Sequence, residues 1–304
     1  MSKLNIDQKT IRLLLTDKHS DFLIPDYQRP YAWGEDECAT LWDDLFSFAF
    51  PNDDCDAFDS AADEYFLGPI VTFKNDAGQL EIIDGQQRLT TIMLLLRAFY
   101  DKFANMKDKQ SVKVRESIAG CVWKTDEFDE PDMDALKIDS EVASDADKGE
   151  FLDILRHGSV VAGARSAYAR NYAFFARKMA EMASEWPTYI ALLAARILNN
   201  VILLPIEAES QDTALRIFST LNDRGLPLAD ADIFKSQFYK HFSAEGRKDE
   251  FVARWKRLEE TANLIFRPAS GTPLDELFTR YMYYRRAHKG IRDTTTKSLR
   301  DFYS

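Results

Sequence analysis

The stretch Ile82-Ile83-Asp84-Gly85-Gln86-Gln87-Arg88-Leu89-Thr90-Thr91 organises the reading of this 304-residue chain. Two β-branched residues run into an Asp-Gly turn pair, and an apolar run from Ile92 to Leu96 follows. The pattern predicts strand, tight turn and helix. A helix N-terminus presents unpaired N–H groups and partial positive charge, which favour an anion. Arg88 opposes that dipole, a placement that makes sense when an anion stands in front of it, and its planar fork suits phosphate. Asp84 is suited to hold a cation or a water. The plainer alternative is that Arg88 pairs with Asp84 or another acid.

Outward from this segment, Tyr65 to Phe73 predicts a strand broken at Gly68-Pro69, and Asn75 to Gly78 turns it into Leu80–Ile83 as a hairpin. The helix after the turn is expected from Leu89 to Met106. Upstream, residues 4–18 predict a short amphipathic helix, Phe22–Ile24 a short strand, and Glu35–Phe48 a helix burying Leu41, Trp42, Leu45 and Phe46. Residues 51–64 lack periodicity. From residue 107 the chain is expected to be mainly helical, with 124–150 least structured by pattern. Tyr168, Tyr172, Phe175 and Met179 mark a helix over 167–183, and another runs from Trp186 to Asn199. Val201–Ile206 is a buried strand by length and branching. Helices follow over 212–221, from Asp230 or Asp232 to Phe242, and near 247–264 and 273–289.

Two further segments carry chemistry. Tyr27-Gln28-Arg29-Pro30-Tyr31-Ala32-Trp33 interleaves aromatics with a cation, which suits base stacking and phosphate contact. Loop aromatics also serve simply as packing. Phe218-Ser219-Thr220-Leu221-Asn222-Asp223-Arg224-Gly225 reads as a helix ended by Gly225. Its Asn222 and Arg224 either shape that turn or project into a pocket.

Composition narrows the classes. The net charge is -11, but it is concentrated: Glu35–Glu64 holds acids and no Lys or Arg, and Lys124–Asp153 is also strongly acidic. With those stretches set aside the remainder is positive, so a local basic surface for nucleic acid is compatible with the acidic whole. Cys38, Cys55 and Cys121 form no CxxC pair, which argues against structural zinc and a disulfide framework. No span of ~20 apolar residues exists for a membrane helix. The start of the chain lacks a signal-peptide pattern, so a cytoplasmic protein is expected. No P-loop, GxGxxG or Ser/His/Asp arrangement is present. The final residues, Leu299 to Ser304, end in mid-pattern, as in a chain that continues.

Taken in order, Ile24-Pro25 through Trp33, Tyr65 to Ile70, Ile82 to Thr91 and Phe218 to Leu228 resemble the N-terminal domain of GmrSD-type restriction proteins. These are type IV, modification-dependent systems, and the related phage-defence proteins SspE and BrxU share the domain. The resemblance covers about residues 5–240. Its hallmark carries over onto Asp84, Gly85, Gln86, Gln87 and Arg88 without departure. It implies a ParB/sulfiredoxin-like nucleotide-binding domain whose nucleotide hydrolysis is coupled to restriction of modified DNA. It also implies an HNH-type nuclease domain beyond the present C-terminus, since no such motif occurs here.

The resulting expectation is an α+β protein: a small mixed sheet with helices over 1–106, then a mainly helical region over 107–304. Strand 201–206 and loop 222–228 are expected to return to the pocket. The expected catalytic residues are Asp84, Gln86, Gln87 and Arg88, with Asp84 also the metal ligand. Tyr27, Gln28, Arg29, Trp33, Gly85, Thr90, Asn222, Arg224 and Gly225 are expected to contact nucleotide. The expected cofactor is ATP or GTP with Mg2+. Expected partners are DNA carrying a modification, the nuclease domain and a second copy of the chain, with no membrane. The rival expectation is a non-catalytic DNA-binding or modification-sensing module that uses the same cleft for a DNA phosphate. A third is a purely structural docking domain.

Overall fold

The computed structural model describes residues 7–142, 145–160, 165–222, 230–268 and 272–291. It is an α+β structure that divides into two compact units. The first comprises residues 1–25, 30–141 and 145–214; the second comprises 26–29, 142–144 and 215–304.

The strands in chain order are β1 (Lys9–Thr10), β2 (Phe22–Ile24), β3 (Tyr65–Lys74), β4 (Leu80–Asp84), β5 (Trp123–Thr125), β6 (Pro131–Leu136), β7 (Ile138–Ser140) and β8 (Val201–Ala208). Six form one mixed sheet in the order β1-β8-β3-β4-β2-β7, and β5 and β6 form a separate antiparallel pair. β3 and β4 are the antiparallel hairpin that the sequence predicts. β8 lies parallel to β3 from Val201 opposite Tyr65 to Ala208 opposite Phe73, so the late strand does return to the sheet. Its near-continuous apolar run suits a strand covered on both faces. Pro205 lacks an N–H, but β1 reaches only Ile202 and Leu203, and a proline is tolerated where a strand's neighbour has ended.

The helices are α1 (Ile11–Thr16), α2 (Glu35–Ala49), α3 (Gln86–Phe103), α4 (Lys109–Val122), α5 (Lys148–His157), α6 (Ala167–Glu185), α7 (Tyr189–Asn200), α8 (Gln211–Asn222), α9 (Asp230–Ala244), α10 (Lys248–Ile265) and α11 (Pro273–His288). α3 is the centre of the first unit. Every residue from Leu89 to Phe99 is buried, on all sides of the helix, as befits a helix packed on several others rather than on one face. It packs against α4, α5 and α6. Phe99 stacks on Trp42 and Phe103. The one cation in this buried run, Arg97, is matched: its Nε donates to the Ile154 carbonyl and its guanidinium meets Asp101 at 3.1 Å. Asp101 in turn accepts the Tyr172 hydroxyl at 2.6 Å.

In the second unit, Ala231, Phe234, Phe251, Trp255 and Phe278 from α9, α10 and α11 form a core of their own. Lys235, buried there, pairs with Glu259, which also accepts from the Trp255 indole N–H. Thr272 and Asp275 close a capping box on α11.

Four local expectations change. The helix expected over 4–18 is α1 alone, because Lys9 and Thr10 pair with β8 and the Thr10 hydroxyl caps the helix at Leu13 N; Met1 to Ile6 lie outside the described residues. α3 begins at Gln86, not Leu89, because Gly85 turns the chain in one residue. β3 runs through Gly68-Pro69, whose effect is a register shift against β8 rather than a break. The stretch 124–150, without a clear pattern in the sequence, holds the end of β5, all of β6 and β7, and the start of α5, and β7 extends the main sheet in parallel with β2. Among the described residues no helix is long and apolar enough to cross a membrane.

Because the Phe99 ring is fully buried between aromatic neighbours, Phe99→Ala is expected to lower unfolding stability by about 3–5 kcal/mol. Urea denaturation should show a reduced midpoint with an unchanged slope.

Candidate functional site

The site grows from one turn. β4 ends at Asp84, paired opposite Val71, and the register with β3 shifts immediately after that pair, with Ile83 the extra residue on β4. Gly85 follows with φ of 91°, a left-handed conformation that favours glycine. A Cβ at this position would stand 3.1 Å from the Pro69 carbonyl and from Ile70 Cγ1. The conformation therefore favours glycine, and the tight space adds to that preference. α3 starts at the next residue, with no capping side chain on Gly85 and no acid in its first turn. Its leading N–H groups thus meet no local carboxylate at the N-cap or within that turn.

Arg88 lies on the first turn of α3, over Leu67 and Gly68, where β3 carries an extra residue against β8. Its Nη1 donates to the Leu67 carbonyl at 3.2 Å, and its Nη2 lies 3.6 Å from Asp84 Oδ2. Gly68, with φ of 129°, makes room: a Cβ there would collide with Nη1 and stand 2.9 Å from Cζ. Burial lowers the Arg88 pKa and the Asp84 charge opposes that effect. The guanidinium nonetheless stays protonated at any physiological pH. The side chains of Arg88 and Asp84 are 21% and 23% exposed, so the pair is open to solvent on one side. The plain pairing of Arg88 with Asp84 is therefore real.

Gln87 does different work. Its Oε1 accepts from Ala32 N at 2.8 Å and from Trp33 N at 3.3 Å, and its Nε2 donates to the Pro30 carbonyl at 3.2 Å. Its amide is a clamp on the loop 30–33. The clamp continues through a chain of hydrogen bonds in which each proton can be placed. Thr91 Oγ1 donates to the Gln87 carbonyl, so the Tyr31 hydroxyl, 2.7 Å away, donates to Thr91. Tyr31 then accepts from Asn171 Nδ2, which also donates to the Trp33 carbonyl. The Tyr31 ring stacks on Tyr168, whose hydroxyl donates to Asp145 at 2.5 Å. Burial raises the Tyr31 pKa and raises Cys38 to about 12, so both are neutral.

The first unit thus brings together Asp84, Gly85, Gln86, Gln87, Arg88, Thr90 and Trp33. Gln86 and Thr90 are buried on α3, and Trp33 is half-buried with its backbone held by Gln87 and Asn171. Tyr27, Gln28 and Arg29 belong to the second unit. There the Tyr27 ring packs on Tyr239, whose hydroxyl donates to Asp26 at 2.9 Å, and Arg29 is exposed. Asn222 is the last residue of α8, while Arg224 and Gly225 lie outside the described residues. Among the described residues, Asp54, Cys55 and Asp56 also converge as metal-type ligands. They sit on the acidic loop after α2, where exposed acids gather without an ion.

Two participants escaped the sequence. Gly68 read only as a strand breaker beside Pro69. Asn171 carried a signal: it stands three residues after Tyr168 and four before Phe175, so a polar side chain falls on the buried face of α6. Buried amides need partners, and this one reaches the loop.

Gln87→Ala removes the loop's acceptor while leaving two backbone N–H groups behind, so a loss of about 1–3 kcal/mol is expected. Amide exchange at Ala32 and Trp33 should accelerate. Gly68→Ala is expected to displace the Arg88 guanidinium and to cost about 1–3 kcal/mol for its backbone conformation. A crystal structure of that variant with Arg88 unmoved would refute the close approach.

The model of the family described as the GmrSD restriction endonuclease N-terminal domain matches residues 11–239. That span contains the whole Asp84–Arg88 turn, the loop clamped by Gln87, and every strand of the main sheet except β1. No curated protein matches the chain in sequence. With three quarters of its length matched, the chain belongs to the GmrSD restriction endonuclease N-terminal domain family, and its role lies in a restriction system.

Proposed function

We propose that the Asp84–Arg88 turn binds the phosphates of a nucleoside triphosphate and promotes its hydrolysis, thereby regulating a nuclease that restricts modified DNA. The observation that carries this reading is the placement of Arg88. An arginine on the first turn of an uncapped helix opposes the macrodipole, yet its guanidinium is held there by a carbonyl and a glycine-lined bulge. An anion in front of the turn would face both the positive end of the helix dipole and the guanidinium.

In this reading the N–H groups at Gly85 to Gln87 and the Arg88 fork hold phosphate oxygens. Arg88 also offsets charge as it develops on the departing phosphate. Asp84 orients the attacking water or contributes to a divalent cation. A single carboxylate, completed by phosphates and water, is enough for Mg2+, and Asp84 meets that minimum. Bound Mg2+ would neutralise phosphate charge. Gln86 is proposed to orient a water or phosphate oxygen, since Gln87 holds the loop. Trp33 and Thr90 are proposed as neighbours of the nucleotide. Tyr27, Gln28, Arg29, Asn222, Arg224 and Gly225 enter the proposal on the family resemblance alone.

The test is turnover of ATP and GTP by the full-length protein, with Mg2+ and with chelator. Arg88→Ala and Asp84→Asn are each expected to lower the hydrolysis rate by at least about a hundredfold. Circular dichroism should confirm an intact fold. Wild-type turnover in both variants would sink the proposal. If labelled ATP and GTP fail to bind while modified DNA binds through Arg88, the cleft serves DNA phosphate instead.

A further inference from the structure

On α11 the buried and exposed faces differ in an unusual way. Phe278 and Met282 are buried, and Phe278 joins the core of the second unit. The opposite side carries Tyr281 and Tyr284, which are 44% and 61% exposed. Their rings lie 6.2 Å apart and within 23° of parallel. His288 continues the row, 6.1 Å beyond Tyr284. Arg285 lies over the Tyr281 ring at 5.9 Å. From Leu277 to Gly290 the sequence contains no acid, although the chain as a whole carries 50 acids against 39 Lys and Arg. Arg280, Arg285 and Lys289 are exposed along this stretch. Lys289 makes no ion pair with a described residue.

The cations have a plain account: several lie in the last turn of α11, where positive charge suits the helix dipole. The tyrosines do not. Two large rings held side by side in solvent, with a cation on one of them, gain nothing for folding by their exposure. Aromatic faces set among cations, in a stretch free of acids, are the combination that receives unpaired bases and their phosphates.

We propose that the Tyr281–Tyr284–His288 row of α11 is a docking surface for single-stranded nucleic acid, with bases stacked on the tyrosines and phosphates met by Arg285 and Lys289. The surface is distinct from the Asp84–Arg88 turn and independent of the nucleotide reading. Local charge complementarity selects this occupant: the exposed Arg285 and Lys289 on an acid-free stretch attract a polyanion that the chain, at a net charge of -11, repels elsewhere.

The experiment is a fluorescence-anisotropy titration of the 304-residue chain against labelled oligothymidylate. Tyr281→Ala/Tyr284→Ala is expected to weaken binding by at least about tenfold, and Tyr281→Phe/Tyr284→Phe to restore it, since stacking needs the ring alone. Arg285→Gln/Lys289→Gln is expected to flatten the salt dependence by about 1.4 in the logarithmic slope, two phosphates' worth for a single strand. All four positions are exposed, so the variants should fold as wild type does. Absence of oligothymidylate binding at low salt, or equal affinity in the Tyr→Ala variant, overturns the proposal. So does a Tyr→Ala variant that keeps its affinity but loses self-association in sedimentation, which would make the row a contact between copies. Nucleotide turnover in the same variants should be unchanged, whereas Arg88→Ala should lose turnover and keep oligothymidylate binding. The two readings therefore fail separately.

Discussion

The approach of the Gly85 backbone to Pro69 and Ile70 is the constraint on which the candidate site depends. β3 and β4 are a hairpin, and a helix that starts directly from the second strand must leave beside the first. Any side chain at residue 85 would crowd Pro69 and Ile70, and a left-handed φ would strain it besides. With glycine, the first turn of α3 sits on β3, and Arg88 reaches the Leu67 carbonyl. Two glycines, one at the turn after β4 and one in β3, thus act together. Gly85 lets the helix approach, and Gly68 leaves the room that the arginine needs.

The same first turn is anchored on its other side by Gln87. A glutamine that accepts twice and donates once fixes three residues of one loop, Pro30, Ala32 and Trp33, relative to the helix. Asn171 repeats the device from α6 by donating to Tyr31 and to the Trp33 carbonyl. Buried amide networks of this kind favour one arrangement strongly, because a partly satisfied network is costlier than none. The loop that carries Trp33 is therefore positioned by two helices. The adjoining Asp26–Arg29 belongs to the second unit, where Tyr27 packs on Tyr239.

The central elements were legible because period and punctuation agreed. Ile82 and Ile83, Asp84-Gly85 and the run after Leu89 left one solution, and Val201–Ile206 had the length and branching of a buried strand. The failures have physical causes. Gly68-Pro69 resembles a break in one dimension, but a neighbouring strand can absorb the extra residue as a register shift. β7, only three residues long, owes its conformation to β2 beside it rather than to its own pattern. In the site, Asp84 to Arg88 announced themselves as a group, yet the sequence could not divide labour between two adjacent glutamines. Gln87 faces the loop and holds it through its amide.

Arg88 joins the structural and the functional accounts. Its pair with Asp84, at 3.6 Å and partly open to water, is the sort of contact that contributes about 1 kcal/mol or less. The Leu67 carbonyl and the Gly68 bulge fix the guanidinium more firmly than that carboxylate does, so its position survives a change of anionic partner. A phosphate carries more charge than a carboxylate and offers oxygens to several donors at once. Placed before α3, it would meet the guanidinium together with the leading N–H groups. In the proposed reading Asp84 would then exchange its weak pair with Arg88 for a cation or a water. The alternative that seemed plainest from the sequence, Arg88 paired with Asp84, is thus the resting arrangement that the proposed chemistry requires.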